Sequence, residues 1–462
     1  MKTIVTSLVA LAVAFGIPLS AVRGSGEPAH ELRPATARIG AGAPVAYFNF
    51  VADEPAAEAE GPATLPDVAP VVRSPAQAAK GDSCGDKGGD CQSKSSGCKS
   101  NSCGSCFVWD PWVSFEFVNA WTKETRLPPL VTTNGVPGDD GVLPTGQILY
   151  GAEGVCDDWR AGGRLSLGGW FGPEKIIGFG GKFFIVDGEK SEFAVDQTLY
   201  PVLARPFFNS SVVNAQDSLI VARPGTRDGV IHAQAENDLM SAEAFARVLL
   251  HSEARQRLDL IVGYHFSRIN DSLTIDHTMT QTGGGFPVGT VFTFVDNFAT
   301  KNEYHAAEIG LWGQYDCRHL TLSLMSKLSM GNMHQEVAIS GQSTRTLPGP
   351  VFTQYNGGLL ALGSNLGTFT DDKFVLAPEA EVKLSYHLTP SADLTVGYSL
   401  LCWDAVALAG RQIDTSMANT PTVNSTQLLG GALVGPNNPV LPSIRDSRFW
   451  VHSLAVGATV KF

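Results

Sequence analysis

The feature that most constrains this chain is a series of period-two segments whose connections alternate between long and short. Ten segments carry it, at roughly 112–121, 162–171, 176–187, 239–250, 257–269, 303–315, 319–332, 373–387, 392–403 and 448–462. Leu258, Leu260, Val262, Tyr264 and Phe266 share one face, against Asp259, Gly263, His265 and Ser267 on the other. Leu320, Leu322, Leu324, Leu328 and Met330 likewise oppose Thr321, Ser323, Lys327 and Ser329. Leu239 to Leu250 also fits an amphipathic helix; we read it as a strand.

A soluble antiparallel sheet alternates as well, so the connections must discriminate. Those at 122–161, 188–238, 270–302, 333–372 and 404–447 are long; those at 172–175, 251–256, 316–318 and 388–391 are tight. This predicts an all-β fold: an up-and-down antiparallel transmembrane β-barrel of about ten strands with short periplasmic turns and long outer loops. Twelve strands result if part of 203–236 enters the wall. The last strand agrees: Trp450, His452, Leu454, Val456, Ala458, Val460 and Phe462 form an apolar face, backed by Val451, Ser453, Ala455, Gly457, Thr459 and Lys461.

Composition fits short strands and turns, with 49 glycines, 27 prolines and only 17% charged residues. A net charge of −12 with no basic cluster argues against a nucleic-acid partner. Met1-Lys2 followed by apolar Ile4 to Leu19 reads as a signal peptide over 1–21, cleaved near Ser20 or Ala21. Residues 22–80 are Pro/Ala/Glu-rich and read as a disordered spacer, a tether able to reach the cell wall or a periplasmic partner. Residues 81–108 form a Cys/Gly/Ser-rich tract, and the barrel is expected over 109–462.

Seven segments carry a family resemblance. They are Trp121-Thr-Lys, Leu127-Pro-Pro-Leu-Val-Thr-Thr133, Leu203-Ala-Arg-Pro-Phe-Phe-Asn209, Gly331-Asn-Met-His-Gln335, Gly397-Tyr-Ser-Leu-Leu-Cys-Trp403, Gln412-Ile-Asp414 and Asp446-Ser-Arg-Phe-Trp450. In order and spacing these resemble the planctomycete putative beta barrel porin-7 family of outer-membrane proteins. The resemblance implies an outer-membrane location and a porin-like barrel, and it carries no catalytic residues or cofactor.

The residues themselves offer little catalysis. His30-Glu31 lacks the second histidine of a zinc-protease helix. Gly81-Asp-Ser-Cys-Gly85 matches the nucleophile-elbow pattern without the strand and helix the elbow needs. Asp276-His277 resembles the Asp/His pairs of membrane-barrel proteases, and we expect it as a solvated pair in an outer loop. We therefore expect no enzyme, no metal and no cofactor.

The inward face is more informative. It should carry the acids Glu116, Glu243, Asp259, Glu308, Glu379 and Glu381 and the bases Arg164, Lys182, Arg247, Lys327 and Lys383. Ten strands make a narrow lumen, in which these charges either line a water path or pair and close it. We expect a channel for passive diffusion of small polar solutes in outer-membrane lipid; the alternative is a structural or surface-binding barrel plugged by its paired charges.

Cys84, Cys91, Cys98, Cys103 and Cys106 lie in the tract, and Cys156, Cys317 and Cys402 near barrel ends. In an oxidising compartment disulfides are favoured over zinc. The predicted topology puts Cys156 and Cys402 on the outer side. It puts Cys317 on the periplasmic side, where it can pair with the odd cysteine of the tract.

Overall fold

The computed structural model describes residues 109–136, 138–209, 215–349, 351–362, 365–417 and 443–462. The expected signal peptide, the spacer and the five cysteines of the tract lie outside them. Ten strands form the wall: β1 (Trp109–Thr122), β2 (Arg160–Phe171), β3 (Ile177–Asp196), β4 (Arg227–Glu253), β5 (Gln256–Gln281), β6 (Val291–Cys317), β7 (Leu320–Thr346), β8 (Gly367–Thr389), β9 (Ala392–Ala407) and β10 (Asp446–Lys461). Each pairs antiparallel with its neighbour in sequence. β10 closes the ring on β1, from Trp112 opposite Lys461 to Thr122 opposite Val451. Among the described residues no helix is long and apolar enough to cross a membrane; the crossing is made by strands.

The tight turns gather at the end where β1 begins and β10 finishes, and Phe462 N donates to Pro111 O there. At one of them Gly172 takes φ +71°, a left-handed conformation open to glycine at no steric cost. Residues 203–236 add no wall strand of their own. Leu203–Asn209 and Ala215–Ala222 pair as a hairpin beside Val131–Thr133, and 227–236 is the start of β4.

Four wall strands are far longer than expected. β4, β6 and β7 have 27 residues each and β5 has 26. At about 3.4 Å per residue such strands run to roughly 90 Å, whereas about ten residues cross a hydrocarbon core. The connections expected at 270–302 and 333–372 are therefore largely strand, and the wall projects beyond the bilayer. The reason is an inversion of polarity along each strand. On β5 the outward residues run Leu258, Leu260, Val262, Tyr264, Phe266 and then turn to Arg268, Asn270, Ser272 and Thr274. The inward residues change from Asp259, His265 and Ser267 to Ile269, Leu273, Ile275 and Met279. Lipid and a polar lumen dictate the first half; water outside and an apolar interior dictate the second. In the lipid-facing half Phe115, Phe117 and Phe374 are 64%, 51% and 72% exposed, which only a hydrocarbon solvent makes favourable for a continuous belt. In the projecting half polar cross-strand pairs cover the outside, as in Arg268 Nη2 to Glu303 Oε1 (2.7 Å) and Asn270 Nδ2 to Asp238 Oδ1 (2.9 Å).

The interior is layered. Above the charged level of the lumen sits an apolar layer with Trp403, Phe449, Tyr304, Met333 and Phe184. A second apolar core fills the projecting half, joining Phe292, Phe294 and Phe298 of the wall to Leu130, Leu203, Phe207 and Leu360 of the inward-folded loops. Between them runs a polar seam. Asn302 holds both the N–H and the C=O of Ala407 (2.8 and 2.9 Å), and Asp271 accepts from Ala409 N at 2.7 Å. These contacts pin the short helix α1 (Ala409–Gln412) inside the wall.

Candidate functional site: the charged lumen

Strand register builds the first half of the network. It sets Glu116 beside Arg164, Lys182 beside Glu243, and Lys327 beside Glu379 on neighbouring strands. Arg164 Nη1 contacts Glu116 at 3.2 Å, Lys182 contacts Glu243 at 2.8 Å, and Lys327 contacts Glu379 at 3.0 Å and Glu308 at 3.1 Å. Barrel closure builds the second half, between strands that are not neighbours. Lys182 on β3 reaches Glu379 on β8 at 2.6 Å, five strands away in either direction round the ring. Arg164 reaches Glu381 at 3.1 Å, Lys383 reaches Glu116 at 2.8 Å, and Lys327 also pairs with Glu243. Arg164 Nη2 donates to Ser399 Oγ at 2.8 Å, and His265 lies 3.1 Å from both Ser241 and Ser329. Ion pairs thus span the lumen from wall to wall.

All eleven charged residues expected on the inward face are there, in two groups. Nine form the network above. Arg247 and Asp259 form a separate pair nearer the tight turns, where Arg257 also donates to Asp259 at 3.0 Å. His265 joins them, on the face where the alternation sets it beside Asp259, whereas Arg257, Trp170 and Trp312 were not singled out from the sequence. Arg257 shares the strand phase of Asp259, Trp170 that of Arg164 and Trp312 that of Glu308, so phase alone would have found them.

Arg205 and Asp296 were missed for a different reason. Arg205 lies on the inward-folded hairpin and Asp296 in the projecting half of β6, neither of which the alternation announces. Arg205 Nη1 meets Asp296 Oδ2 at 2.7 Å, with both side chains buried. Asp296 Oδ1 accepts from Leu360 N and Ala361 N at 2.9 and 2.8 Å.

His277 is buried on β5, 3.3 Å from Arg205 and stacked on Phe294. Burial, with Arg205 beside it, pushes its pKa well below the ordinary value. The expected solvated Asp276-His277 loop pair is corrected on this point: both lie within β5, and alternation sends Asp276 outward while His277 packs inward.

Among the described residues Glu243, His265 and Glu308 lie close enough to share a metal ion. Lys327 already pairs with both carboxylates, so an ammonium holds the position a cation would take.

The segments carrying the family resemblance converge on the closed interior. Leu127, Leu130, Leu203 and Phe207 enter the outer core, while Met333, Trp403 and Phe449 enter the layer beneath it. Gln412 accepts from Arg445 N at 3.1 Å and donates to Leu408 O at 3.0 Å.

A closed antiparallel ring with an outward apolar belt defines the protein as an outer-membrane β-barrel. The model of the family described as "Putative beta barrel porin-7" matches residues 112–462. The chain belongs to that family. No curated protein matches it. Among solved structures it is similar to the outer membrane protease OmpT from Escherichia coli, at 12% identity and a TM-score of 0.36, covering 77% of this chain and 96% of that one. A FadL homologue of Pseudomonas aeruginosa matches at 9% identity and a TM-score of 0.20 over 76% and 90% of the two chains. An anion-selective porin from Comamonas acidovorans matches at 8% and 0.16 over 77% and 100%. Likenesses this remote carry no argument about activity.

Proposed function

We propose that this protein is a non-enzymatic outer-membrane barrel closed to through-flow, a rigid scaffold that presents its outer loops. The carrying observation is the Lys182–Glu379 pair, 2.6 Å long between strands on opposite sides of the ring. Two apolar layers beyond it add to the barrier, since side chains fill barrels of small strand number. The opposite facing of Asp276 and His277 speaks against a hydrolytic pair in β5. The chain reaches the outer membrane through a cleaved signal peptide, with residues 22–80 as a periplasmic tether.

A second reading, passive diffusion of small polar solutes, is favoured by the family's description. It requires the segments around Leu360 and Ala409 to leave the interior. Liposome swelling in arabinose or glycine separates the two. Swelling at the protein-free rate supports the closed barrel; faster, protein-dependent swelling overturns it.

A further inference from the structure

The lumen on the tight-turn side of the charged network is not filled. A cavity of about 540 Å³ runs from the rim, at Lys175, Arg318 and Lys461, down to Arg164 and Lys327. Its volume falls within the range of small-molecule sites.

Its wall is chemically lopsided. Nine lysines and arginines line it against five acids. Glu116, Asp259, Glu308 and Glu379 pair with its cations from outside the cavity lining, while Glu243, Glu381, Asp110 and Asp393 pair with them within it. The charges are thus paired, and on the open side the cations outnumber the acids.

The best-built part lies halfway down. Arg247 sits between the rings of Trp170 and Trp312, at 4.8 and 4.4 Å, and Arg257 lies 4.0 Å over Trp170. Both guanidiniums share the single carboxylate of Asp259. Stacking fixes the planes of the two forks and so the directions of their donors.

Arg257 keeps donors to spare: its Nε bonds Asp259 and its Nη2 the Lys175 carbonyl, which leaves Nη1 to the cavity. Trp112, Ile261 and Met325 add apolar wall beside these donors.

We infer that this chamber is a binding site for a small organic anion, a carboxylate or phosphate ester carried on a flat apolar body. The charged group takes the donors that Arg257 does not spend on Asp259 and the Lys175 carbonyl, and the body lies along Trp170 and Trp112. A neutral solute leaves those donors unpaired, and a free inorganic anion leaves the apolar wall wet. The site stands whether or not anything passes the ion-pair layer above it, so its test is independent of solute flux.

The test is calorimetric titration of the full-length protein in detergent with 2-naphthoate, 2-naphthylmethanol and inorganic phosphate. Saturable naphthoate binding is expected, weakening with salt, with the alcohol silent and phosphate failing to compete at equal concentration. Arg257→Gln should weaken binding about tenfold, the loss of one charge-assisted bond. Trp312→Leu, which removes the ring that fixes the Arg247 guanidinium, should weaken it several-fold. Both variants are first checked for heat-modifiable migration, and the second covers the case in which the first does not fold. Equal binding of the alcohol, full competition by phosphate, or unchanged affinity in the folded variants would overturn the assignment.

Discussion

Arg205 and Asp296 form a buried ion pair 2.7 Å long, and through it an inward-folded hairpin is fastened to the projecting half of the barrel wall. Asp296 fastens a second loop with its other oxygen, at Leu360 and Ala361. The backbone passes so close that a Cβ at Gly358 would stand 2.2 Å from Asp296 Oδ1. Replacing Arg205 by Met leaves this carboxylate buried with its two backbone donors and no counter-charge, a change that costs about 3–5 kcal/mol. Hydrogen exchange should rise over 203–209 and 358–362 while the lipid-facing parts of β1, β9 and β10 stay protected. Uniform exchange across the whole barrel would contradict a separately anchored plug.

Lys327 serves three carboxylates, Glu243, Glu308 and Glu379. Lys327→Met keeps most of the stem and removes the charge that holds them together. The expected loss is again about 3–5 kcal/mol, read as a lower temperature of heat-modified migration. A neighbouring control, Ser326→Ala on the outward face of β7, should leave that temperature unchanged.

Stability should vary with pH through two residues of the projecting half. His277 has a folded pKa well below 6.5, so its contribution is complete above pH 6.5 and is lost as pH falls below it, at about 1.4 kcal/mol per unit. Asp271 acts in the opposite sense. Burial raises its carboxyl to about 6 against an ordinary 3.8, so folding takes up a proton between those values and stability recovers as pH falls through them. The urea midpoint should therefore drop between pH 6.5 and 6 and flatten below. His277→Gln should abolish the drop, and Asp271→Asn should abolish the flattening.

The fold was legible where one rule governs a strand from end to end. β1, β9 and β10 keep apolar residues outward over most of their length, and their period-two pattern marked them near their true bounds. β5 and β6 keep the period but reverse its meaning after Phe266 and before His305, so the pattern looks broken where the strand continues. The charges of the lumen were legible for a simple reason: register fixes the face, and each acid or base in phase had to point inward. Arg205 and Asp296 were not, because their meeting depends on a loop folding back into the barrel, which no local period encodes.

The thiols report the orientation of the chain. Cys317 is exposed at the tight-turn end, whereas Cys156 is buried in the outer core, where burial lifts its pKa to about 12. After mild reduction a bulky impermeant maleimide should label Cys317 only once the outer membrane is opened, and Cys156 only on unfolding. Labelling of Cys317 in intact cells would place the tight turns outside. Non-reducing peptide mapping of the same sample tests the proposed pairing of Cys317 with the cysteine tract.

If ion pairs and apolar layers close this barrel, as proposed, the full-length protein should be silent in single-channel recording across a planar bilayer. The expected result is a folded, heat-modifiable protein that inserts and gives no conductance steps above the bare membrane. Stable, protein-dependent steps of uniform size would contradict it.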